Sequence, residues 1–236
     1  MAPDSERRAQ LRAALTRTRE ELAAACAAAG RESDSVRLIV VTKNFPASDA
    51  GVIVEAGQAD LGENRDQEAA AKSAALAERG LKPVWHFVGR LQRNKARSVA
   101  GYADWVHSID RARLVDALDR AAASRGRVLN ALLQVSLDGD ASRGGAPIAE
   151  LAALAERVAA APSLRLRGVM AVAPLGWEPV RAFELLAECS RKVRGVEAGA
   201  SEISAGMSGD FSEAVACGAT MVRLGRNVLG EREYIA

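Results

Sequence analysis

Eight short apolar runs constrain the fold of this sequence more than any other feature. They are separated by longer segments rich in alanine, glutamate and arginine. The apolar runs are Val36–Val41, Asp60–Glu63, Trp85–Gly89, Trp105–Ile109, Leu129–Leu137, Leu166–Val172, Glu202–Ala205 and Met221–Leu224. The intervening segments that are long enough for one helix each are Asp49–Ala56, Gln67–Arg79, Arg111–Ser124, Ile148–Ala160, Pro179–Val193 and Phe211–Cys217. Strands that alternate with helices predict βαβ units and a parallel sheet. Eight such units that close on themselves form an α/β fold, the (β/α)8 TIM barrel.

The length of 236 residues fits one such barrel with little left over. An additional helix is predicted over residues 1–30, because apolar residues recur there on one helical face. Those residues are Leu11, Leu15, Leu22 and Cys26. We predict a single domain over residues 1–236, in which this N-terminal helix packs on the barrel. A doubly wound open sheet is the alternative, but no GxGxxG motif follows the first predicted strand.

Composition excludes several classes of protein. A charged fraction of 26% with 49% hydrophobic residues is ordinary for a globular chain, which excludes disorder throughout. The net charge of +2 argues against a dedicated nucleic-acid binder, and no apolar run approaches the ~18 residues that cross a bilayer. The charged N-terminal segment lacks the apolar core of a signal peptide. Three cysteines without CxxC spacing indicate neither a disulfide framework nor a cysteine zinc site. We expect a cytoplasmic protein.

Residues that carry chemistry follow the predicted strands at their C-terminal ends, the edge where a barrel of this type places its active site. They include both histidines of the chain and a lysine. The positions are Lys43, Glu63, Asn64, His86, Gly89, His107, Asp110, Asp138, Met170, Gly206–Ser208 and Gly225–Asn227. This clustering predicts a functional site at the barrel mouth.

Lys43 directly follows the apolar run Leu38–Val41 and precedes a turn-forming segment. A lysine held at a barrel mouth is partly desolvated, which lowers its pKa and frees the amine to attack a carbonyl. The alternative interpretation is a lysine that reaches solvent from a strand end.

Two glycine-containing loops follow the last two predicted strands. Gly206–Gly209 and Gly225–Asn227 each place glycine where backbone N–H groups can approach a ligand, and each precedes a predicted helix N-terminus, which favours an anion. These two loops form the usual phosphate site of the fold. Ordinary turn glycines are the alternative.

Arg223 lies inside the last predicted strand and needs an acceptor, since a guanidinium does not deprotonate. A glutamate in the core is one candidate, and a ligand nitrogen or carboxylate is the other. From the residues alone, His86 and His107 are more typical of hydrogen-bonded core residues than of ligands. The basic run Gly89–Arg97 lacks the interleaved aromatic residues of an RNA-binding surface. No Ser-His-Asp order, Walker loop or metal-spaced set of ligands is present.

A Schiff-base lysine, a phosphate cradle and a buried arginine on one barrel face describe a pyridoxal 5′-phosphate (PLP) site. The sequence from about Val36 to Tyr234 resembles the pyridoxal phosphate homeostasis proteins (the YggS/PROSC family). The motifs that carry the resemblance are Val41-Thr42-Lys43, Gly62-Glu63-Asn64, Trp85–Gly89, Leu91-Gln92, Asn94-Lys95, His107–Asp110, Arg167–Met170, Gly206–Ser208 and Val222–Gly225 with Gly230.

The resemblance implies a fold-type III barrel like the N-terminal domain of alanine racemase, with Lys43 as the Schiff-base lysine. It also implies a set of residues around PLP, with the phosphate at Ser208, Gly225 and Arg226, the pyridine nitrogen at Arg223, and Asn64 near the ring. Met207 and His86 complete the cofactor-binding residues that it implies. Two positions depart from the family: many relatives have Thr or Ser in place of Arg226, and relatives often have Lys in place of Arg143.

The same residues bear on whether the protein is an enzyme. An arginine beside the pyridine nitrogen disfavours its protonation, which weakens the ring as an electron sink. A racemase also needs a second base, commonly a tyrosine from a C-terminal domain, whereas this chain has only Tyr102 and Tyr234 and ends at Ala236. Tyr102 is expected at the wrong end of the barrel.

We therefore predict a monomeric protein that binds PLP as a Schiff base and stores, buffers or delivers it, with PLP-dependent apo-enzymes as candidate recipients. Substantial amino-acid turnover is not expected, and neither a metal, a membrane nor a nucleic acid is expected as a partner. The alternatives are a fold-type III enzyme, such as an amino-acid racemase or decarboxylase, and a sugar-phosphate barrel enzyme with a Schiff-base lysine.

Overall fold

A closed ring of parallel strands forms the centre of the structure, a computed structural model that describes residues 4–231 except the side chain of Ala141. The strands are β1 (Arg37–Val41), β2 (Asp60–Glu63), β3 (Val84–Phe87), β4 (Trp105–Ile109), β5 (Leu129–Ser136), β6 (Ala146–Pro147), β7 (Leu164–Met170), β8 (Glu202–Ser204) and β9 (Met221–Leu224). The helices are α1 (Ser5–Ala28), α2 (Ala47–Glu55), α3 (Asp66–Glu78), α4 (Ala96–Tyr102), α5 (Ala112–Ala123), α6 (Leu151–Ala159), α7 (Pro179–Val196), α8 (Phe211–Ala216) and α9 (Arg226–Leu229).

Strand pairing confirms the predicted barrel. The ring runs β4-β3-β2-β1-β9-β8-β7-β5, and β5 pairs with β4 to close it. The open doubly wound sheet is therefore wrong, because a sheet of that kind has two unpaired edges. The two-residue strand β6 lies outside the ring, against β5.

All eight predicted strands are confirmed. The helix N-terminus predicted at Gly225–Asn227 is confirmed as the four-residue α9, which begins at Arg226. The helix α4 begins at the end of the basic run, and its extent was not predicted because seven residues are too few for a clear apolar period. The two-residue β6 was not predicted.

The predicted N-terminal helix is confirmed as α1. It packs against α2, α8 and α9 through a shared apolar cluster. Its buried face includes the four residues that the sequence placed there, Leu11, Leu15, Leu22 and Cys26, together with Ala14 and Thr18. Arg7 adds polar contacts, since its guanidinium donates to Asp49 Oδ2 at 2.8 Å and to the carbonyl of Leu229 at 3.1 Å. The helix therefore braces the part of the barrel that contains β1 and β9.

Side chains on each strand alternate between the barrel interior and the helix layer. The interior contains one small apolar cluster, made of Ile39, Trp105, Leu132, Met170 and Met221. The larger apolar clusters lie between strands and helices. Polar side chains occupy the rest of the interior, and several of them are buried: His86, His107, Ser204 and Arg223.

Other features of the described residues limit what the chain can bind. No helix within residues 4–231 is both long and apolar enough to span a bilayer. The three cysteines are unpaired. In the same part of the chain, no group of three or more His, Cys, Asp or Glu side chains is arranged to hold a metal ion.

Candidate functional site at the barrel mouth

Lys43 stands just beyond the C-terminal end of β1, in the turn that leads to α2. On this strand Ile39 packs in the barrel interior, whereas Thr42 bonds to residues of the helix layer. By alternation, Lys43 continues the inward-facing row at the mouth. Its side chain is exposed. The prediction of partial desolvation is therefore wrong for this structure, in which Lys43 lies in an exposed turn and the next residue, Asn44, has φ 66°.

A second lysine, Lys72 of α3, is buried behind the Lys43 turn. Its Nζ donates to the carbonyl of Thr42 and to Glu63 Oε1, each at 2.6 Å, and to Glu68 Oε1 at 2.7 Å. Lys72 is 4% exposed and Glu63 is 0% exposed. Burial raises the pKa of Glu63, and the attraction of Lys72 opposes that rise. We call Thr42, Glu63, Glu68 and Lys72 the lysine clamp.

The lysine clamp holds the backbone on both sides of Lys43. Thr42 Oγ1 donates to Glu63 Oε1 at 2.6 Å, and the N–H of Asn44 donates to Glu68 Oε1 at 2.6 Å. The residues before and after Lys43 are thereby fixed to β2 and α3. The clamp can position the amine without touching it.

One feature of the sequence indicates a buried lysine in this region. Within the predicted helix Gln67–Arg79, Lys72 lies three residues after Ala69 and four before Leu76, on the face that the structure buries. A lysine on such a face requires a buried partner. Which partner it has depends on the position of β2 and cannot be read from the helix alone.

The two predicted glycine loops lie side by side, because β8 and β9 are neighbours in the ring. Gly206 has φ +89°, and a Cβ there would lie 2.8 Å from Ala214 Cβ and 2.9 Å from Phe211 Cα. A Cβ on Gly225 would lie 3.1 Å from the carbonyl oxygen of Val41, at the end of β1. Gly206 is therefore needed where its loop approaches α8, and a side chain at Gly225 would crowd the lysine-bearing strand.

The loop after β8 has free backbone donors. The N–H of Met207, whose side chain is exposed, donates to Asp210 Oδ1 at 2.6 Å, which fixes the loop. Within residues 4–231, the N–H groups of Ser208 and Gly209 donate to no protein acceptor. These two N–H groups and the Ser208 hydroxyl form a set of donors suited to an anion.

Arg226 and Arg143, the two positions at which the resemblance led us to expect departures from relatives, have exposed and partly exposed side chains. The side chain of Arg226 is 68% exposed, and its guanidinium lies 3.9 Å from Glu231. Arg143 donates to Asp138 at 2.9 Å and to the carbonyl of Ala173 at 2.9 Å, so it links the loop after β5 to the segment after β7. Arg143 therefore serves as a tie between two loops.

Arg223 is buried in the interior wall, and its hydrogen-bond partners are uncharged. Its Nη1 donates to Ser204 Oγ at 2.7 Å and its Nη2 to the carbonyl of Ala171 at 2.8 Å. Burial lowers the pKa of Arg223 to about 10, against the attraction of Asp210. Among the described residues no carboxylate forms an ion pair with Arg223, so the core glutamate considered from the sequence is wrong.

Asn64 and His86 differ in what they can offer a ligand. Asn64 Oδ1 is buried without a hydrogen-bond partner among the described residues, next to Gly89, where a Cβ would lie 2.1 Å from the Asn64 carbonyl oxygen. His86 is 0% exposed, and its ring nitrogens bond to Asp60 at 2.8 Å and to His107 at 2.9 Å. Asn64 Oδ1 can therefore accept a hydrogen bond from a ligand, whereas both ring nitrogens of His86 are already bonded.

Tyr102, the one tyrosine within residues 4–231, lies in the helix layer. Tyr102 ends α4, packs between strands and helices, and has its hydroxyl 3.5 Å from Asp66 Oδ1 at the start of α3. Burial raises the pKa of this phenol. Tyr234 lies outside the described residues.

We expect the free energy of unfolding to depend on pH because two histidines are buried. Burial lowers the pKa of both His86 and His107 from 6.5, so the folded state stays neutral at a pH where the unfolded state binds protons. Stability should therefore fall as pH drops below about 6.5, by up to about 1.4 kcal/mol per pH unit for each histidine. Urea unfolding at pH 7.5, 6.5 and 5.5 measures the slope.

The matched control for that slope is the double variant His86→Gln/His107→Gln. The raised pKa of Glu63 makes stability increase as pH falls, opposite to the effect of the histidines. Because Glu63 is present in both proteins, its contribution cancels when the two slopes are subtracted. Equal slopes in the two proteins would contradict the expectation.

Comparisons with known proteins agree with this geometry. The family model described as alanine racemase, N-terminal domain, matches residues 19–233. Pyridoxal phosphate homeostasis proteins are 43% identical in Mycobacterium bovis, over 96% of this chain and 95% of that protein, and 38% identical in Escherichia coli K12, over 93% and 96%. PipY of Synechococcus elongatus, solved with PLP bound, is 35% identical with a TM-score of 0.83, over 94% of this chain and 100% of PipY. The chain thus belongs to the pyridoxal phosphate homeostasis proteins, within the alanine racemase N-terminal domain family.

Proposed function

We propose that this protein binds PLP through a covalent bond to Lys43 and takes part in PLP homeostasis by storing, buffering or delivering the cofactor. The observation that carries the proposal is the arrangement on three neighbouring strands. Lys43 follows β1, the buried Arg223 and the Gly225 loop belong to β9, and the free donors of Ser208 and Gly209 follow β8. PipY, with PLP bound, and the homeostasis proteins among the relatives support the same ligand.

The residues present fit the cofactor. Ser208, the N–H of Gly209 and the Gly225 loop would bind its phosphate, and the exposed Arg226 can add a positive charge by swinging inward. Arg223 would donate to the pyridine nitrogen. Asn64 and the exposed Met207 would line the ring, with the unpaired Oδ1 of Asn64 as the polar contact. His86 would act only through the residues to which it is bonded.

Bound PLP supplies an aldehyde that condenses with amines and a ring that withdraws electrons. Lys43 would supply the amine for this condensation, in which the aldehyde oxygen leaves as water. Arg223, as a cation, disfavours protonation of the ring nitrogen, because two positive charges would then be adjacent. Tyr102, bonded to Asp66 in the helix layer, is not available as a second base. We therefore propose that the protein holds PLP without substantial amino-acid turnover.

Spectroscopy with a turnover screen tests this proposal. Added PLP should produce a visible absorption band on the protein, and chiral analysis of a broad set of amino acids should give rates no higher than PLP alone. Amino-acid turnover at about 10 s⁻¹, a rate typical of enzymes, would establish the alternative, a fold-type III enzyme such as a racemase. A protein that stays colourless with PLP would instead indicate a sugar-phosphate barrel.

The proposal also covers the compartment of the protein, its oligomeric state and the enzymes that receive PLP from it. The unpaired cysteines support a reducing compartment, the cytoplasm. We propose a single domain over residues 1–236 that acts as a monomer and delivers PLP to apo-enzymes. Exposed apolar side chains on the segments after β7 and β8 support contact with a recipient at the mouth: Val172, Leu175, Val180 and Met207.

Replacing Ser208 by alanine should weaken phosphate binding while leaving the bond to Lys43 intact. A hydroxyl that donates to a charged phosphate contributes about 1.5–3 kcal/mol, so PLP affinity should fall roughly tenfold or more. Titration with PLP and with pyridoxal, which lacks the phosphate, separates the two effects, since only PLP affinity should fall. The exposed Ser212→Ala in α8 is the matched control. An equal loss of affinity for pyridoxal would count against a phosphate role.

A further inference from the structure

An unbroken series of hydrogen bonds crosses the barrel interior from the start of β2 to β9. Asp60 Oδ1 lies 2.8 Å from His86 Nε2, and His86 Nδ1 lies 2.9 Å from His107 Nε2. His107 Nδ1 lies 2.9 Å from Ser204 Oγ, which accepts from Arg223 Nη1 at 2.7 Å. We call these five residues the histidine relay.

The relay is shielded from water except at its Asp60 end. His86, His107 and Ser204 are 0% exposed and Arg223 is 6% exposed, whereas the side chain of Asp60 is 18% exposed. The two charged members are therefore at opposite ends, with three neutral groups between them. Polar groups buried this deeply must satisfy one another, because water cannot do so.

The chemistry of the members allows one direction for the donors. An ionised Asp60 only accepts, so His86 must donate to it through Nε2–H. Burial lowers the pKa of His86, so the ring carries one proton and Nδ1 accepts from His107 Nε2–H. The pKa of His107 is lowered still more clearly, so its Nδ1 also accepts, and only the Ser204 hydroxyl can donate to it. Ser204 Oγ then offers its lone pair to Arg223.

Other groups pack around the relay without joining it. Arg37 lies 3.8 Å from Asp60 and over the ring of Trp105, which stacks on His86 at 5.6 Å between ring centroids. Asp104 bonds to the N–H of Trp85, outside the relay. These contacts hold the His86 ring in place. They do not set the direction of its hydrogen bonds, which is determined by Asp60.

We propose that Asp60 is a positioning residue for Arg223, acting through one ordered set of histidine tautomers. In this arrangement Asp60 fixes the proton of each ring, the rings fix the Ser204 hydroxyl, and Ser204 fixes the guanidinium. With the carbonyl of Ala171 on its other nitrogen, Arg223 has one orientation. The consequence for PLP rests on the proposed function: the orientation keeps a guanidinium N–H directed at the ring nitrogen.

Nitrogen NMR on the apo-protein tests the relay without any cofactor. The chain contains two histidines, so protein prepared without a histidine tag gives two imidazole signals in long-range ¹H–¹⁵N spectra. Both rings should carry the proton on Nε2. A proton on Nδ1 in either ring would overturn the proposal, because the donors would then run in the opposite direction or the relay would be interrupted.

A double-mutant cycle tests the link to Arg223. Asp60→Asn should mix the tautomers and speed PLP dissociation by roughly threefold to tenfold, in the range of couplings within one hydrogen-bond network. The same change should have no effect in a Ser204→Ala background, where the relay no longer reaches Arg223, and Ser204→Thr should restore the sensitivity. Asp104→Asn is the matched control and should alter neither the histidine tautomers nor the rate of PLP dissociation.

The outcomes separate the two proposals. An equal effect of Asp60→Asn with and without the Ser204 hydroxyl would mean that Asp60 acts on general stability and would overturn the positioning role. A protein that forms no visible band with PLP would contradict the proposed function, whereas the tautomers of the apo-protein would still decide the relay.

Discussion

Lys43→Ala should abolish the visible absorption band that PLP forms with the protein. The only other lysine close to the Lys43 turn in the structure is Lys72, which is buried on the far side of β1 and bonded to Glu63 and Glu68. Because all three hydrogen bonds of its Nζ are to protein acceptors, we expect that it does not replace the missing amine. Absorption spectra of the variant with added PLP, compared with wild type, measure the effect.

Two controls make that result specific. Lys43→Arg retains the charge but not a nucleophilic amine, because a guanidinium stays protonated, so it should also lose the band. Lys95→Ala removes a partly exposed lysine that lies 3.8 Å from Asp66 at the rim, and it should keep the band. A normal band in Lys43→Ala would show that the covalent bond is formed elsewhere.

Lys72→Met should be the most destabilising single change in the lysine clamp. It leaves Glu63 at 0% exposure without its cation, and breaking a buried ion pair on one side costs about 3–5 kcal/mol. Urea unfolding at neutral pH measures the loss. PLP association should also slow, because the backbone on both sides of Lys43 loses its fixed contacts.

The partner variant distinguishes an unpaired charge from a loss of packing. Lys72→Met/Glu63→Gln removes both charges and should recover much of the stability, since neutral groups of similar shape need no counter-ion. Lys82→Met, at an exposed lysine, should change stability by less than about 0.5 kcal/mol. A loss of under about 1 kcal/mol in Lys72→Met would contradict the clamp.

Most of the strands could be predicted because they are short apolar runs bounded by turn residues. The signal was weakest for β2 and β8, which each contain one large apolar residue, Leu61 and Ile203. Lys43 could be placed at the end of β1 for the same reason. Its exposure could not be predicted, because Lys43 lies in the turn after β1, two residues beyond the last strand residue, Val41. The extents of the short helices α4 and α9 could not be predicted, because neither is long enough for a full apolar period.

The lysine clamp and the histidine relay lie beyond sequence reasoning for a different reason. Each joins residues from several strands, and their contacts depend on strand register and on distances of a few tenths of an ångström. His86 and His107 could be recognised as core residues, which the structure confirms, but the links to Asp60 and Ser204 require the closed ring. The assignment of PLP contacts came from the resemblance to the family, and those contacts stay predictions.

Borohydride reduction of the PLP complex, followed by tryptic peptide mapping, tests the central claim most directly. Reduction makes the bond to lysine permanent, and trypsin does not cleave at a modified lysine. The account predicts one pyridoxyl-phosphate label, on an uncleaved peptide that spans residues 38–65 with the modification at Lys43. A label on any other lysine, or no label under conditions that saturate the visible band, would contradict it.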